Sequence, residues 1–540
     1  MRWVVLPLLL LVIVSRGTAS GGEAAIRILP DGTVEPPGAP IKRVGDVYTL
    51  LEDVSVTGDG VLVMRSGALL DGNWRVLQGN GSGRGVIVRA PNVTVKNLFV
   101  RGFEYGVYAS DAPGCSVHSV VVEGGRVGIG LWRSPGCTVV DNSVRWSMVG
   151  LYVEESSSST IVGNAFEGCG LYVRRSYGNR VENNTVNGRP LVYLEAASGV
   201  QVGGAVGQVI LLRCANATVS VSAARSTVGV LISECRGVEV VDCDLSGNVV
   251  GIDVWGSSGV AISSCRVAEG EVGVRVLNSS GVVLLSSALS GSSFCVYVDS
   301  GGEAVVANST VKECSQAAVT LKRSTGSLVG NMVAASARGI VLQGSEGVNV
   351  EGNAIWRNGA GVVINETRGC TFTRNEFVEN AVQVVLQAAG PNTWQGNFWS
   401  DLWERGVTQG PYALGSGNVD ESPATAPSRV LPVRVITPVG YATGSGWYER
   451  GSTARIGVWP SNLLVIRFRQ WVDQRGRVVA HNPVAEVVVD EPLVLSAAWS
   501  LDPIPVLIVV CTILALAVLI LRFRRPGVRK SAKLLKSPEY

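Results

Sequence analysis

The chain has 540 residues, with 46 Lys and Arg against 43 Asp and Glu, so its formal net charge is +3. This balance argues against a nucleic-acid partner, since no Lys/Arg cluster occurs before the C-terminus. Charged residues make up 16% of the chain and glycine accounts for 66 residues, whereas an average soluble protein carries about 25% charged residues. The composition therefore favours a Gly-rich architecture with long apolar faces.

The N-terminus predicts an export signal over residues 1–19. Arg2 supplies a positive start, Val4–Val14 an apolar core, and Gly17-Thr18-Ala19 small residues for cleavage. An uncleaved membrane anchor is the alternative. Residues 20–46 contain Pro and Gly with weak periodicity, and we expect them to cap the first coil of the following domain, because the end of a solenoid exposes unpaired strand edges.

Residues 47–403 carry a repeat of about 22 residues. Each row opens on a small residue and an alternating apolar run such as Gly339-Ile340-Val341-Leu342. A polar turn and a second apolar pair such as Val348/Val350 follow. Two or three short β-branched runs per row, with no stretch long enough for a helix, predict a β-solenoid. About fifteen regular coils at about 4.8 Å each would form a rod of roughly 70 Å.

The alternation assigns an inward and an outward side to the first strand of each coil. Ile340, Leu342, Val362 and Ile364 are expected inside. Val341 and Val363 are expected outside. A recurring Asn, about fourteen residues into the row, predicts a hydrogen-bonded turn ladder. Its members are Asn142, Asn164, Asn184, Asn308, Asn331, Asn353, Asn375 and Asn397.

The row G-[IV]-x-[VL]-x-x-S-x-x-[VT]-x-[IV]-x-x-N resembles the parallel β-helix repeat of the pectate-lyase-like superfamily. More narrowly, it resembles the β-helix family named after periplasmic NosD and the carbohydrate-binding and sugar-hydrolase repeat domain, in their archaeal cell-surface type. The resemblance covers roughly residues 45–403 and implies a right-handed parallel β-helix. It does not imply one activity, because that superfamily contains lyases, hydrolases, adhesins and inert scaffolds.

The C-terminal part predicts three further elements. Residues 404–428 are Gly/Pro-rich and are assigned to a cap and linker, and residues 429–500 contain short strands that predict a small β-sandwich-like domain. Residues 503–521 are uncharged and apolar, and a basic tail over residues 522–540 follows. This pattern predicts a single transmembrane helix with the bulk of the chain extracellular and the tail cytoplasmic.

Cysteines and sequons fit an exported protein. Three Cys pairs are spaced by about one coil: Cys115/Cys137, Cys214/Cys235 and Cys243/Cys265. We favour stacked buried thiols for them and leave disulfides open. Seven sequons are candidate glycosylation sites: Asn80, Asn92, Asn183, Asn216, Asn278, Asn308 and Asn365. Asn308, placed in the ladder, is expected to be buried. With two His, four Met and no Cys-x-x-Cys, neither a zinc nor a copper site is expected, and no cofactor is predicted.

The outward positions of the first strands offer a candidate sugar platform. Exposed aromatic rings on consecutive coils, flanked by Arg and carboxylates, suit an extended sugar chain. The predicted carbohydrate-binding residues are Tyr108, Trp132, Tyr152, Glu154, Tyr172, Arg174, Tyr193 and Glu195. Ordinary strand-surface residues with paired charges are the alternative.

The sequence thus predicts a membrane-anchored extracellular protein that binds surface or environmental polysaccharide without turnover. Its partners would be a cell-envelope glycan and the lipid bilayer. Two alternatives stay open. One is a polysaccharide lyase or glycoside hydrolase, for which Glu154 and Glu195, about 9–10 Å apart by strand spacing, could supply the two carboxylates. The other is a purely structural envelope scaffold.

Overall fold

The computed structural model describes residues 25–223, 225–404, 410–459, 462–463, 466–501 and 503–523. The predicted signal peptide and the tail beyond Phe523 lie outside these residues. The described chain forms two compact units that divide between Thr425 and Ala426. Its helices are α1 (Ser400–Glu404) and α2 (Pro503–Phe523), and the other elements are strands.

The segment predicted to cross a membrane forms α2. Crossing the hydrocarbon core takes about 20 consecutive apolar residues, and no helix in the described part of the chain is both long and apolar enough for this. The predicted transmembrane helix is therefore not supported, and the single-pass localisation that rested on it is wrong. The lipid-bilayer partner, expected through the same helix, has no support either.

The first unit is an all-β solenoid of about 17 turns. Its coils fall into a first segment, Ile26–Val186, and a second segment, Arg189–Asp420. The first strands of successive coils pair in parallel within each segment and form its first-strand face. In the first segment these strands are Ile26–Ile28, Val61–Val63, Arg84–Val88, Tyr105–Ser110, Val127–Trp132, Val149–Glu154 and Leu171–Arg174, with Val34–Glu35 antiparallel at the edge. In the second segment they are Arg189–Glu195, Gln208–Leu212, Val228–Ser233, Val250–Trp255, Val272–Leu277, Phe294–Asp299, Ala317–Lys322, Arg338–Gln343, Ala360–Asn365 and Val382–Gln387.

The remaining solenoid strands complete each coil. In the first segment they are Ile41–Val44, Val47–Leu50, Val54–Ser55, Leu69–Gln78, Thr94–Arg101, Ser116–Glu123, Thr138–Val140, Ser143–Arg145, Thr160–Val162, Ala165–Glu167, Arg180–Glu182 and Thr185–Val186. In the second segment one sheet contains Gln201–Val206, Thr218–Ala223, Glu239–Val241, Ala261–Ser263, Val282–Leu285, Glu303–Ala307, Thr325–Val329, Asn349–Glu351, Thr371–Thr373, Thr393–Gln395, Tyr412–Gly415 and Asn418–Asp420. The other contains Arg266–Ala268, Ala288–Ser290, Thr310–Lys312, Met332–Ala334, Ala354–Trp356, Glu376–Val378 and Phe398–Trp399.

The predicted inward register is confirmed. Ile340, Leu342, Val362 and Ile364 are at most 1% exposed and belong to the core of the second segment. On the outward side, Val341 is nevertheless buried and Val363 is half-buried, so the outward side is less exposed than the alternation alone suggests.

The Asn ladder is present with one correction. The side-chain amide of Asn353 donates to Asn375 Oδ1 over 2.9 Å, and its own Oδ1 accepts the backbone N–H of Asn331 over 2.9 Å. At position 309 the rung is a serine, whose backbone N–H donates to Asn331 Oδ1. Asn308, predicted to be a buried rung, is exposed and has φ 49°. It occupies the left-handed turn position just before the rung, so the predicted rung was placed one residue too early.

The coils do not form one continuous stack. Asn187 and Gly188 have φ 47° and 75°, the pair of positive values that a type I′ turn requires. The turn makes Arg189–Glu195 antiparallel to Thr185–Val186. The chain thus reverses here, and the second segment packs against the first. Leu231 and Tyr297 of the second segment are buried in the same apolar cluster as Tyr152 of the first segment, which shows this contact.

Side chains of the second segment form hydrogen bonds with the free edge strand, Leu171–Arg174, of the first segment's first-strand face. The N–H of Leu171 donates to Gln208 Oε1 over 2.9 Å, and Gln208 Nε2 donates to the Leu171 carbonyl over 2.7 Å. The amide of Gln208 thereby replaces the peptide group of a next strand. Thr227 Oγ1 accepts from the N–H of Gly170 over 3.0 Å and donates to the Met148 carbonyl over 2.8 Å. These bonds satisfy edge groups that would otherwise be left unpaired.

The cysteine pairs differ from one another. Cys115 and Cys137 form a disulfide with Cα atoms 4.7 Å apart, so the preference for thiols is wrong for this pair. A second disulfide joins Cys295 and Cys314. The two residues are 19 positions apart, so the spacing of one coil did not predict this pair. The other two pairs, Cys214/Cys235 and Cys243/Cys265, are free thiols and buried, as expected.

The second unit contains two sheets around a common core that includes Leu431, Ile456 and Trp471. The larger sheet comprises Gly446–Glu449, Val430–Ile436, Leu493–Leu501, Ile466–Val472, Asn462–Leu463 and Val478–Ala480. The smaller sheet comprises Tyr441–Thr443, Thr453–Trp459 and Val484–Val488. In Thr453–Trp459 exposed and buried residues alternate, except that Gly457 is buried as well, so the strand turns one face to the core.

Candidate functional site

The predicted aromatic residues do stack along the first segment. We call Tyr108, Trp132, Tyr152 and Tyr172 the aromatic row. The rings of Tyr108 and Trp132 lie 4.4 Å apart, those of Trp132 and Tyr152 5.4 Å, and those of Tyr152 and Tyr172 5.7 Å. In-register parallel pairing of consecutive coils produces this spacing.

The aromatic row is not the exposed platform predicted from sequence. Tyr152 is 0% exposed and Tyr172 is 8% exposed, while Tyr108 and Trp132 are half-buried. The second segment covers the row, because the reversal at Asn187 places its own outward residues against these rings. A pyranose ring cannot reach Tyr152 or Tyr172 in this arrangement.

A buried ion pair fixes the covered end of the row. Arg275 Nε donates to Asp253 Oδ1 over 2.8 Å, and its Nη2 donates to Asp253 Oδ2 over 2.5 Å and to Tyr172 Oη over 3.1 Å. Tyr172 Oη in turn donates to Asp253 Oδ2 over 3.0 Å. Arg275 and Asp253 come from the second segment and are 2% and 0% exposed.

The electrostatics of this triad keep the arginine charged. Burial alone would lower the pKa of Arg275, but the Asp253 carboxylate outweighs burial and raises that pKa. Burial, followed by the charge of Asp253, raises the pKa of Tyr172, so its hydroxyl stays a donor. A paired and fully hydrogen-bonded charge is tolerated in the interior, and this triad joins the two segments rather than facing a ligand.

The remaining predicted residues bond to one another. Arg174 forms an ion pair with Glu154 over 3.5 Å. Tyr193 Oη donates to Glu195 over 2.8 Å, and Glu195 also accepts the N–H of Gly178 over 2.7 Å. Tyr193 belongs to the second segment, so it does not extend the aromatic row. Glu154 and Glu195 therefore belong to different segments, on either side of the chain reversal.

An open groove lies elsewhere, on the second segment. It crosses the turns that follow five consecutive first strands and has a volume of about 670 Å³. We call it the turn groove. Its lining includes Arg323, Thr325, Glu346, Glu366, Thr367 and Arg368. The alternation of strand residues did not indicate this groove, because most of its lining residues lie in turns. The recurrence of Arg and Glu just after the first strands was the available signal.

Ion pairs preorganise the turn groove. Arg323 Nη2 donates to Asp299 over 2.6 Å, and the carboxylate of Asp299 is 8% exposed, so the buried acid holds the arginine in place. Arg368 pairs with Glu346 on the preceding coil, and both side chains are more than half exposed. Glu366 is also exposed. Below them, Ser345 Oγ and Thr367 Oγ1 accept backbone N–H groups and hold adjacent turns together.

Comparisons with known proteins agree with the coil geometry. The family described as periplasmic copper-binding protein (NosD) matches residues 213–403, and the family described as right handed beta helix region matches residues 84–267. The comparison with curated proteins found no match.

Several solved structures are similar at low identity. The periplasmic alginate epimerase AlgG is 12% identical, with 67% of this chain and 81% of that chain covered and a TM-score of 0.30. The A-module of Azotobacter vinelandii mannuronan C-5 epimerase AlgE6 is 13% identical, with 65% and 88% covered and a TM-score of 0.21. PfbA, a surface adhesin of Streptococcus pneumoniae, is 10% identical, with 57% and 85% covered and a TM-score of 0.25. Likeness at this level transfers no activity to this chain.

The side chains do not fit the copper that the first family description names. Copper sites in proteins use His, Cys or Met ligands. Within the described ranges, no group of three or more His, Cys, Asp or Glu residues could hold a metal ion. The stacked thiols, such as Cys214 and Cys235, are 1% exposed and act as ladder rungs, since the N–H of Cys214 donates to Cys235 Sγ over 3.3 Å.

The parallel pairing of successive coils and the two family matches lead to one assignment. The chain is a right-handed β-helix repeat protein.

Proposed function

We propose that this protein binds an extended polysaccharide along the turn groove and does not turn it over. The single observation that carries the proposal is the groove itself, which follows the solenoid axis over five consecutive coils. A polymer lying in it would meet a new set of side chains about every 4.8 Å. Such a repeating contact suits a repeating ligand.

The chemistry of the lining supports a sugar. Arg323, Arg368, Glu346 and Glu366 offer charged donors and acceptors, and Thr325 adds an exposed hydroxyl. Hydrogen bonds to charged groups are roughly twice as strong as those between neutral groups. Because two arginines and two glutamates balance in charge, the groove suits a polyhydroxylated chain and does not select strongly for an acidic one.

The same lining argues against turnover. In glycoside hydrolysis one carboxyl group acts as a general acid, and burial keeps such a group protonated. Glu346 is exposed and ion-paired, and Glu366 is exposed, so neither has that environment. Release of reducing ends or of unsaturated uronates from a polysaccharide would support the lyase or hydrolase alternative instead.

Affinity gel electrophoresis of the full chain tests the proposal. The gels would contain alginate, polygalacturonate, mannan, dextran or hydroxyethylcellulose. We expect at least one polymer to retard the protein, and R323A/R368A to weaken this retardation by about tenfold, from the loss of charge-assisted hydrogen bonds. Arg180→Ala is the matched control, because Arg180 forms an exposed pair with Glu182 away from the groove.

Two results would contradict the proposal. Unchanged retardation of R323A/R368A would remove the turn groove from binding. No retardation of the wild-type protein by any polymer would favour the scaffold alternative.

A further inference from the structure

The small sheet of the second unit carries an exposed aromatic face. Tyr441 and Trp459 are directly opposite each other on neighbouring antiparallel strands. They are 63% and 51% exposed, although residues of this size are usually covered. Directly opposite positions in a sheet have Cβ atoms about 5 Å apart, so the two side chains project side by side from one face of the sheet, and we call them the aromatic strip.

A glycine determines how the indole lies. Gly457 precedes Trp459 by two residues and points to the same side of the sheet. A Cβ at Gly457 would be 4.0 Å from Trp459 Nε1, which shows that the indole folds back over the glycine. A ring that lies flat on the strand presents its outer face to solvent.

The aromatic row of the solenoid contains the same arrangement. Trp132 lies against Gly130, two residues before it, in direct contact. There the ring contacts Tyr108, Tyr105 and Tyr152 and is half-buried. Trp459 has the same support from glycine but a larger exposed fraction.

Polar groups surround the aromatic strip in the next two rows of the sheet. Thr443 and Val484 are opposite Gly457 on its two neighbouring strands. One row further, Arg455 and Glu486 are opposite each other and exposed. Hydroxyl, guanidinium and carboxylate groups therefore lie on the same side as the rings.

We propose that this face, defined by Tyr441, Thr443, Arg455, Trp459 and Glu486, is a second saccharide-binding site. The apolar C–H face of a pyranose packs on an aromatic ring, and its equatorial hydroxyls bond to flanking polar groups. The core of a protein–protein interface is depleted of charged residues, whereas this face carries Arg455 and Glu486. The open rings and charged neighbours of this face fit the sugar. The site is independent of the turn groove.

The same gels and the full-length chain test this site. Trp459→Ala and Tyr441→Ala should each weaken retardation by roughly threefold to tenfold, the range that aromatic contacts give, with unchanged thermal unfolding because both side chains are exposed. Trp459→Tyr should restore most of the retardation, since it keeps a ring. Trp146→Ala is the matched control, because Trp146 is 66% exposed in the first unit.

The outcomes separate the two sites. Loss of retardation in Trp459→Ala but not in R323A/R368A would support this site and reject the turn groove, and the reverse result would overturn this inference alone. Absence of wild-type retardation on every gel would overturn it as well. So would concentration-dependent self-association of the wild type that Trp459→Ala abolishes, because the face would then bind a second copy of the chain.

Discussion

The aromatic row and the turn groove are both outward parts of the solenoid, yet one is covered and the other is open. Tyr172 faces outward from its strand but is 8% exposed, because Asp253 and Arg275 of the second segment bond to it. Arg368, in a turn, has a side chain that is 73% exposed. Period-2 alternation fixes the side of the strand on which a residue lies, and it does not fix what packs against that side.

The largest effect is expected where the covered face is joined. Arg275→Ala leaves the Asp253 carboxylate buried without its cation, and breaking a buried pair costs about 3–5 kcal/mol. Denaturant unfolding would measure this loss. Arg368→Ala, which breaks an exposed pair in the turn groove, should cost at most about 1 kcal/mol. Similar losses in the two variants would contradict the distinction between the covered face and the open groove.

A double variant sharpens this prediction. Asp253→Leu with Arg275→Met removes both charges, and apolar replacement of a buried pair is often neutral or stabilising. We expect the double variant to be more stable than Arg275→Ala alone. A double variant as unstable as the single one would mean that packing volume, rather than the unpaired carboxylate, determines the loss.

A smaller effect is expected inside the coils that support the turn groove. Asn353→Ala leaves the N–H of Asn331 without its acceptor in a buried ladder, and an unsatisfied buried group costs about 1–3 kcal/mol. Asn308→Ala removes no ladder bond, and Ala335 takes the same left-handed conformation with φ 50°, so this variant should cost at most about 1 kcal/mol. The free energy of unfolding of both variants tests this. Equal losses of unfolding free energy in the two variants would indicate that Asn308 is a rung of the ladder, which would contradict the observed register.

The smallest effect is expected at the reversal that covers the row. Gly188 has φ 75°, and a Cβ in this conformation costs about 1–2 kcal/mol. Gly188→Ala should therefore lower the free energy of unfolding by about that amount. Gly203→Ala is the matched control, since its Cβ would meet only Ser220 O at 3.6 Å. An unchanged stability of Gly188→Ala would mean that the turn does not need its left-handed conformation.

Most of the solenoid could be predicted from the sequence because its determinants are local. The alternation in Gly339-Ile340-Val341-Leu342 identified the buried side correctly, since Ile340 and Leu342 belong to the core. The recurring Asn predicted the ladder for the same reason, because each rung bonds to the equivalent residue one coil away. The slip at Asn308 arose because Asn suits both the rung and the left-handed position before it.

The candidate site could not be predicted in the same way. The stacking of Tyr152 on Tyr172 followed from the repeat, but their burial did not, because the covering residues lie about 80 to 100 positions further along the chain. The Asn187-Gly188 pair was a readable turn signal. The turn signal did not indicate which faces of the two segments would pack together. The sequence of one segment does not specify how the other segment is placed against it.

The sequence by itself determined the repeat, the parallel coils, the inward register and the small β unit that follows. Backbone alternation and turn chemistry act over a few residues, and a repeat copies them from coil to coil. Tertiary structure alone decided that the first-strand faces of the two segments cover one another, and that open surface remains at the turn groove and around Trp459. These features depend on contacts between distant parts of the chain, and such contacts arise only when the segments pack.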